Sequence, residues 1–358
     1  MPVERIVIAG GGTGGHLYPG IAIAEELQQR RRGAEVVFAG SGAPLEGEIL
    51  GPLGFRHVAI RSGGVVGKSP AKVLRGAFRA LGGFLQAVRM LMTMKPRVVI
   101  GVGGYASAPV VMAGAALRIP TLIHEQNCYP GLTNRLLAPW VRKVAVSFEE
   151  SRHYLGGRGE VTGNPIRASF KGARRKARGE IFFILVFGGS QGARALNSAV
   201  LDALPYLEPQ RLSFRVLHGT GSADLARVMA AYAGRGFDAT IVPYITAIRE
   251  AYEQADLVIA RAGASTVSEI AACGKASILV PLPTAAHDHQ RYNARKFAEA
   301  GAAILVEESA LGGQALASTI LALRDDPSRV VAMERAAASL ARPDAAARIA
   351  DMVEELIA

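Results

Sequence analysis

Two apolar runs, residues 5–9 (Arg-Ile-Val-Ile-Ala) and 181–187 (Ile-Phe-Phe-Ile-Leu-Val-Phe), each break straight into a glycine-rich turn. The first enters Gly10-Gly-Gly-Thr-Gly-Gly15 and the second Gly188-Gly-Ser-Gln-Gly192. A short strand that delivers into glycines and then into helical periodicity is the opening βα unit of a doubly wound domain. Here it occurs twice, about half of the 358-residue chain apart. The repeat predicts an α/β protein of two Rossmann-like, doubly wound domains facing each other across a cleft, with ligands at the carboxyl ends of the strands. Further strands are expected over 35–39, 97–101, 121–124 and 143–147, then over 213–218, 240–242, 257–260 and 277–280. The run 98–100 is apolar on both faces, as a buried parallel strand should be. The domains are expected over 1–162 and 163–340, hinged near Val161-Thr-Gly-Asn-Pro-Ile-Arg167, and 341–358 reads as a closing helix that can pack back on the first domain.

The glycine loops narrow the chemistry. Gly10, Gly12 and Gly15 satisfy GxGxxG, yet the second strand ends Phe38-Ala-Gly-Ser-Gly42 without the acid that holds a dinucleotide ribose. Glu46, the nearest acid downstream, falls inside the next helical pattern. No GxxxxGK[ST] occurs, which argues against a P-loop NTPase. What remains is phosphate binding by backbone N–H groups at helix N-termini, a task that needs glycine because side chains would block the anion. Loops 10–15, 101–107, 188–192 and 262–266 all qualify, so two phosphorylated ligands or one long one are expected. Glu269 follows the fourth loop, in the first turn of a helix expected over 266–273; it is either a capping-box or helix-dipole residue or a carboxylate for two ribose hydroxyls. His287-Asp-His289-Gln290 lacks an evident third convergent ligand, and the chain has no Asp-x-Asp pair, so no metal site is expected.

The net charge of +11 predicts an anionic partner. The surplus is local: from Ile49 to His124 there is no acid, while Arg56, Arg61, Lys68, Lys72, Arg75, Arg79, Arg89, Lys95, Arg97 and Arg118 occur, and the first Asp of the chain is Asp202. Nucleic acid is not the expected partner, because no zinc-finger or RNP-type signature accompanies the charge and aromatics are only 6%. Residues 69–94 instead read as a cationic amphipathic helix, with Gly82-Gly83 able to split it in two, suited to lie on an anionic leaflet. The competing reading is a crossover helix whose apolar stripe is core. Cys128 and Cys273 give no disulfide framework, no apolar run approaches 18 residues, and the start turns too quickly into glycines for a signal peptide, so a reducing compartment is expected.

At this point whole motifs can be compared. Gly11-Gly-Thr-Gly-Gly-His16 with Pro19-Gly20, Gly103-Gly-Tyr105, His124-Glu-Gln-Asn127, Gly131-Leu-Thr-Asn134, Gly163-Asn-Pro-Ile-Arg167, Gly188-Gly-Ser-Gln-Gly-Ala-Arg194 with Asn197, and the stretch from Arg261 to Glu269 resemble the MurG family of UDP-N-acetylglucosamine transferases, glycosyltransferase family 28. The resemblance runs in order to about Asn293. It implies a GT-B fold and inverting transfer of GlcNAc from UDP-GlcNAc to the C4 hydroxyl of lipid-linked MurNAc-pentapeptide (lipid I), forming lipid II, by a peripheral enzyme on the cytoplasmic face of the cell membrane. It implies no cofactor. Other GT-B nucleotide-sugar enzymes, a glycolipid glycosyltransferase or a UDP-GlcNAc 2-epimerase, are the alternative.

By the same resemblance Ser190 and its loop would bind the donor diphosphate with help from Arg167, the backbone at Ile245 would contact uracil, Glu269 the ribose and Gln290 the sugar hydroxyls. Thr13, Gly14, Gly15 and Asn127 would line the acceptor side. Tyr105, Asn134, Gln191, Gly192, Arg261, Ala264, Ser265 and Thr266 are also expected to bind substrate. Two departures stand out: Arg291 replaces a glutamine often found there, and Cys128-Tyr129 replaces smaller residues after Asn127. His16, at a helix N-terminus that should keep it neutral, and Glu125, whose pKa a desolvated cleft would raise, are the two candidate bases.

Overall fold

The structure, a computed structural model, describes residues 4–61, 70–170, 172 and 179–358, and within the helix over 70–94 it describes side chains from residue 80 onward. The chain divides into two compact units, Met1–Ala168 with Arg342–Ala358, and Ser169–Ala341. The first runs past the hinge motif because Thr162 and Gly163 still donate to the Val146 carbonyl.

In the first unit the strands are β1 (Arg5–Ala9), β2 (Glu35–Gly40), β3 (Arg56–Ala59), β4 (Val98–Gly101), β5 (Thr121–Glu125), β6 (Lys143–Val146) and β7 (Glu160–Val161). The helices are α1 (Gly14–Arg30), α2 (Pro44–Leu50), α3 (Pro70–Met94), α4 (Ser107–Ala116) and α5 (Leu132–Leu137). The parallel sheet has the order β3-β2-β1-β4-β5-β6-β7. Strand alternation splits its core into two layers. Ile6 and Ile8 of β1 pack with Leu17 and Ile21 of α1, whereas Val7 and Ala9 face Ala87 and Leu91 of α3 and Val110 of α4.

The second unit holds β8 (Phe182–Phe187), α6 (Arg194–Leu207), β9 (Phe214–Gly219), α7 (Leu225–Tyr232), β10 (Asp238–Val242), α8 (Ile248–Gln254), β11 (Leu257–Ala260), α9 (Ala264–Cys273), β12 (Ser277–Leu279), α10 (His289–Glu299), β13 (Ala303–Leu305), α11 (Gly313–Asp325) and α12 (Pro327–Ser339). Its parallel order is β10-β9-β8-β11-β12-β13. The closing helix α13 (Ala345–Ile357) belongs to the first unit. Ile349 and Val353 join the Ile6 layer, and Arg30 of α1 pairs with Asp351 and Glu354.

Three strands carry no clear signal in the sequence. β3 and β7 flank the first sheet and β13 ends the second, and an edge strand needs little apolar alternation. α9 starts at Ala264 rather than 266, which places Glu269 in its second turn, and its N-cap Gly263 makes no side-chain cap, so the expected capping box is absent. α3 is one helix across Gly82-Gly83. Glycine serves there for approach, since a Cβ on Gly83 would lie 2.1 Å from the Arg61 carbonyl oxygen. Among the described residues, no helix is long and apolar enough to cross a membrane.

Candidate active site

In each sheet the strand order reverses once, and both reversals coincide with glycine loops. In the first unit β1 pairs β4 with Ala9 beside Gly101, so loops 10–15 and 101–107 leave the same sheet edge together. In the second, β8 pairs β11 with Phe187 beside Ala260, so loops 188–192 and 261–266 do likewise. Such switch points are where doubly wound sheets bind ligands.

The switch point of the first unit is braced by buried carboxylates. Glu46 accepts the Gly12 amide at 2.8 Å, the Ser41 amide at 2.9 Å and hydroxyl at 2.7 Å, and the Gly42 amide at 2.8 Å. Burial opposes its ionisation, but these bonds, led by the Ser41 hydroxyl, outweigh it and hold the carboxyl below its ordinary pKa. Thr13 Oγ1 lies 3.1 Å from His16 Nδ1. The imidazole packs on the second loop: a Cβ at Gly103, where φ is +87°, would sit 2.7 Å from His16 Cδ2. Gln126 donates to the Val102 carbonyl at 2.9 Å, tying the β5 exit to the same loop. Tyr105 is exposed, and Gly14 and Gly15 open α1.

Glu125, Asn127 and Asn134 do come together, with the carboxylate at the centre. One Glu125 oxygen accepts the Asn127 amide at 2.9 Å and Nδ2 at 3.2 Å, and the other accepts the Gly131 amide at 3.0 Å and Asn134 Nδ2 at 2.8 Å. The side chain is 1% exposed, and burial pushes its pKa up against those bonds. Both oxygens are engaged in shaping the 125–134 turn. His124 is fully buried with Nε2 3.0 Å from the Gly163 carbonyl, and burial lowers it from 6.5 to about 4, so the ring is neutral. Arg167 lies 4.7 Å over the Tyr18 ring, on the helix that the first glycine loop opens.

At the switch point of the second unit Ser190 and Gln191 are exposed at the loop tip and Gly192 is half-buried. The loop's far side is held by α6, where Asn197 donates to the Thr220 carbonyl at 2.9 Å and to Asp224 at 2.8 Å, while His218 Nε2 lies 3.0 Å from Asn197 Oδ1. Buried Ile245 would touch a Cβ placed on Gly219. Ala264, Ser265 and Thr266 form the first turn of α9. Ser265 Oγ is buried without a hydrogen-bond partner among the described residues, as is Arg261 Nε. Such orphaned donors are expected where a ligand completes the site. Glu269 is 8% exposed and accepts the Tyr252 hydroxyl at 3.3 Å.

Two residues expected at substrate are tied into the scaffold. Arg261, 7% exposed, donates to the Val280 and Pro281 carbonyls and pairs with Glu308. Gln290 accepts the Leu282 amide at 3.0 Å, so both residues brace the segment after β12. Arg291 reaches away to Glu307 at 2.7 Å. Among the described residues no group of three His, Cys, Asp or Glu could hold a metal. Glu46 and Tyr252 were missed by motif reasoning. The only hint of Glu46 was an acid just past a strand end.

Comparison with known proteins then places the chain. The glycosyltransferase family 28 N-terminal domain matches residues 6–146 and the family's C-terminal domain matches residues 183–349. The UDP-N-acetylglucosamine--N-acetylmuramyl-(pentapeptide) pyrophosphoryl-undecaprenol N-acetylglucosamine transferase of Syntrophus aciditrophicus is 44% identical over 356 residues, covering 99% of both chains. The crystal structure of Acinetobacter baumannii MurG superposes with a TM-score of 0.80 at 30% identity, over 98% of this chain and 99% of that one. A UDP-GlcNAc 2-epimerase from Neisseria meningitidis shares the fold alone, with a TM-score of 0.69 at 12% identity over 98% of this chain and 100% of that one. With a switch-point loop pair in each unit, both family domains and full-length relatives in agreement, the chain belongs to glycosyltransferase family 28.

Proposed function

We propose that the chain is an inverting N-acetylglucosaminyltransferase that moves GlcNAc from UDP-GlcNAc to the C4 hydroxyl of lipid I, making lipid II. The observation that carries this reading is the pair of glycine loops at the switch point of each sheet, in a chain that matches relatives of that activity over nearly its whole length. The switch point of the second unit takes the donor. Backbone N–H groups at the starts of α6 and α9, with Ser190 to Gly192 and Ser265, receive the diphosphate, Ile245 lies at the uracil, and Glu269 holds the ribose hydroxyls. The switch point of the first unit takes the acceptor, with Thr13 to Gly15, Tyr105 and Asn127 around the diphosphate and sugar.

His16 is the base. Thr13 holds the ring through Nδ1 beside the second glycine loop, and the imidazole accepts the C4 hydroxyl proton. The freed oxygen attacks the anomeric carbon opposite UDP, the bond to the β-phosphate oxygen breaks, and its electron pair leaves with UDP. The N-termini of α6 and α9 stabilise that leaving charge. Glu125, with both oxygens already accepting two hydrogen bonds, shapes the acceptor turn instead.

Attachment to the anionic leaflet is peripheral. Leu81, Leu85 and Met92 form one exposed stripe along α3, and Leu132, Leu136 and Trp140 form another along α5 and the turn after it. The side chains of Lys72, Arg75 and Arg79 lie outside the described residues. The test is UDP release from UDP-GlcNAc: it should require a lipid I analogue. Release that ignores the acceptor would overturn the reading.

A further inference from the structure

Tyr252 ties the Glu269 carboxylate to the strand that carries the 188–192 glycine loop. Its side chain is fully buried near the end of α8, and its ring meets two others edge-on: Phe187 at 6.0 Å and 89°, and Phe170 at 5.8 Å and 67°. Phe187 is the last residue of β8, directly before Gly188. A buried phenol hydroxyl needs a partner. Here it donates to Glu269 Oε2 at 3.3 Å.

We propose that Tyr252 is a positioning residue for nucleotide recognition. The terminal torsion of a glutamate is broad, so an unpinned carboxylate would lose orientational freedom on meeting a ligand. A donor on Oε2 sets the carboxylate plane beforehand and directs Oε1 toward the ribose. The aromatic contacts hold the phenol in register with the diphosphate loop, so one side chain links the two ends of a nucleoside diphosphate site. The inference rests on the reading of Glu269 as the ribose ligand, and its test separates the two.

Dissociation constants for UDP and for 2′,3′-dideoxy-UDP are measured by calorimetry on the full chain, on Glu269→Gln, on Tyr252→Phe and on the double variant, with thermal unfolding of each. The wild type should prefer UDP by at least about tenfold, the scale of a charge-assisted bond. Glu269→Gln should compress that preference. Tyr252→Phe should compress it by about three- to tenfold, in keeping with one neutral-strength hydrogen bond, while dideoxy-UDP affinity stays within about twofold and the melting temperature changes little. The double variant should match Glu269→Gln. If Tyr252→Phe weakens both nucleotides equally, or leaves the preference intact while Glu269→Gln abolishes it, the positioning role is wrong. If Glu269→Gln itself leaves the preference intact, the ribose reading fails and the proposal with it.

Discussion

His16, in the first turn of α1, and Glu125, the last residue of β5, are held in different ways. His16 meets one loop through Thr13 and packs on another at Gly103, whereas four hydrogen bonds saturate Glu125. His16→Ala should therefore lower kcat by about 10²–10⁴ with little change in UDP-GlcNAc affinity, and remove the acidic limb of the pH–rate profile. Loss of that limb in Glu125→Gln, with only a raised KM in His16→Ala, would transfer the role. Two other histidines govern stability. Burial lowers His124 and His218 from 6.5 to about 4. A folded pKa below the unfolded one means that the stabilisation is complete above about 6.5 and is lost as pH falls from there toward about 4. Denaturant unfolding should steepen with acidification over that window, by at most about 3 kcal/mol per histidine. His218→Gln should flatten the slope, and an unchanged slope would contradict the assignment. Motifs made both candidate bases legible, His16 directly after Gly15 and Glu125 within His124-Glu-Gln-Asn127. Which of them is consumed by scaffold depended on partners such as Gly131 and Asn134, whose approach is a product of folding. Glu46 was hidden for the same reason, because its Gly12 partner lies on another βα unit.

At the scale of elements, the central strands could be read because burial on both faces demands continuous apolar runs, as in 98–100 and 182–187. β3, β7 and β13 could not, being short strands at sheet margins with little apolar demand. α3 shows a further limit. Helical periodicity located it, but the close approach of Gly83 to Arg61, which has no room for a Cβ, is a tertiary contact. Its amphipathic pattern also mixed core with surface: Ala87 and Leu91 are core, while Leu81, Leu85 (59% exposed) and Met92 face outward. Leu85→Glu combined with Met92→Glu should cut co-sedimentation with anionic vesicles at least about tenfold, since burial of two apolar side chains is exchanged for charge repulsion. Transfer to a water-soluble lipid I analogue should stay near wild type. Undiminished vesicle binding would move the membrane face elsewhere, with the exposed Trp140 ridge the next surface to alter.

The whole chain repeats one plan, a parallel sheet whose order reverses beside glycine loops, and that repetition was the most legible feature because each loop follows its strand in sequence. The return of the closing helix to the first domain was legible too, but the placing of Arg167 over Tyr18 was not readable from spacing. A phosphate site built from helix N-termini predicts that transfer persists in EDTA at constant ionic strength, and abolition by chelation would contradict it. The central claim is that this chain joins GlcNAc to C4 of lipid-linked MurNAc with inversion. Its most direct test is the product formed from UDP-GlcNAc, in which the sugar is α-linked, and a lipid I analogue, identified by mass and by the anomeric proton coupling in NMR. A β(1→4)-linked GlcNAc–MurNAc disaccharide is the predicted result. An α-linked product, or a C2-epimerised sugar without any disaccharide, would contradict it.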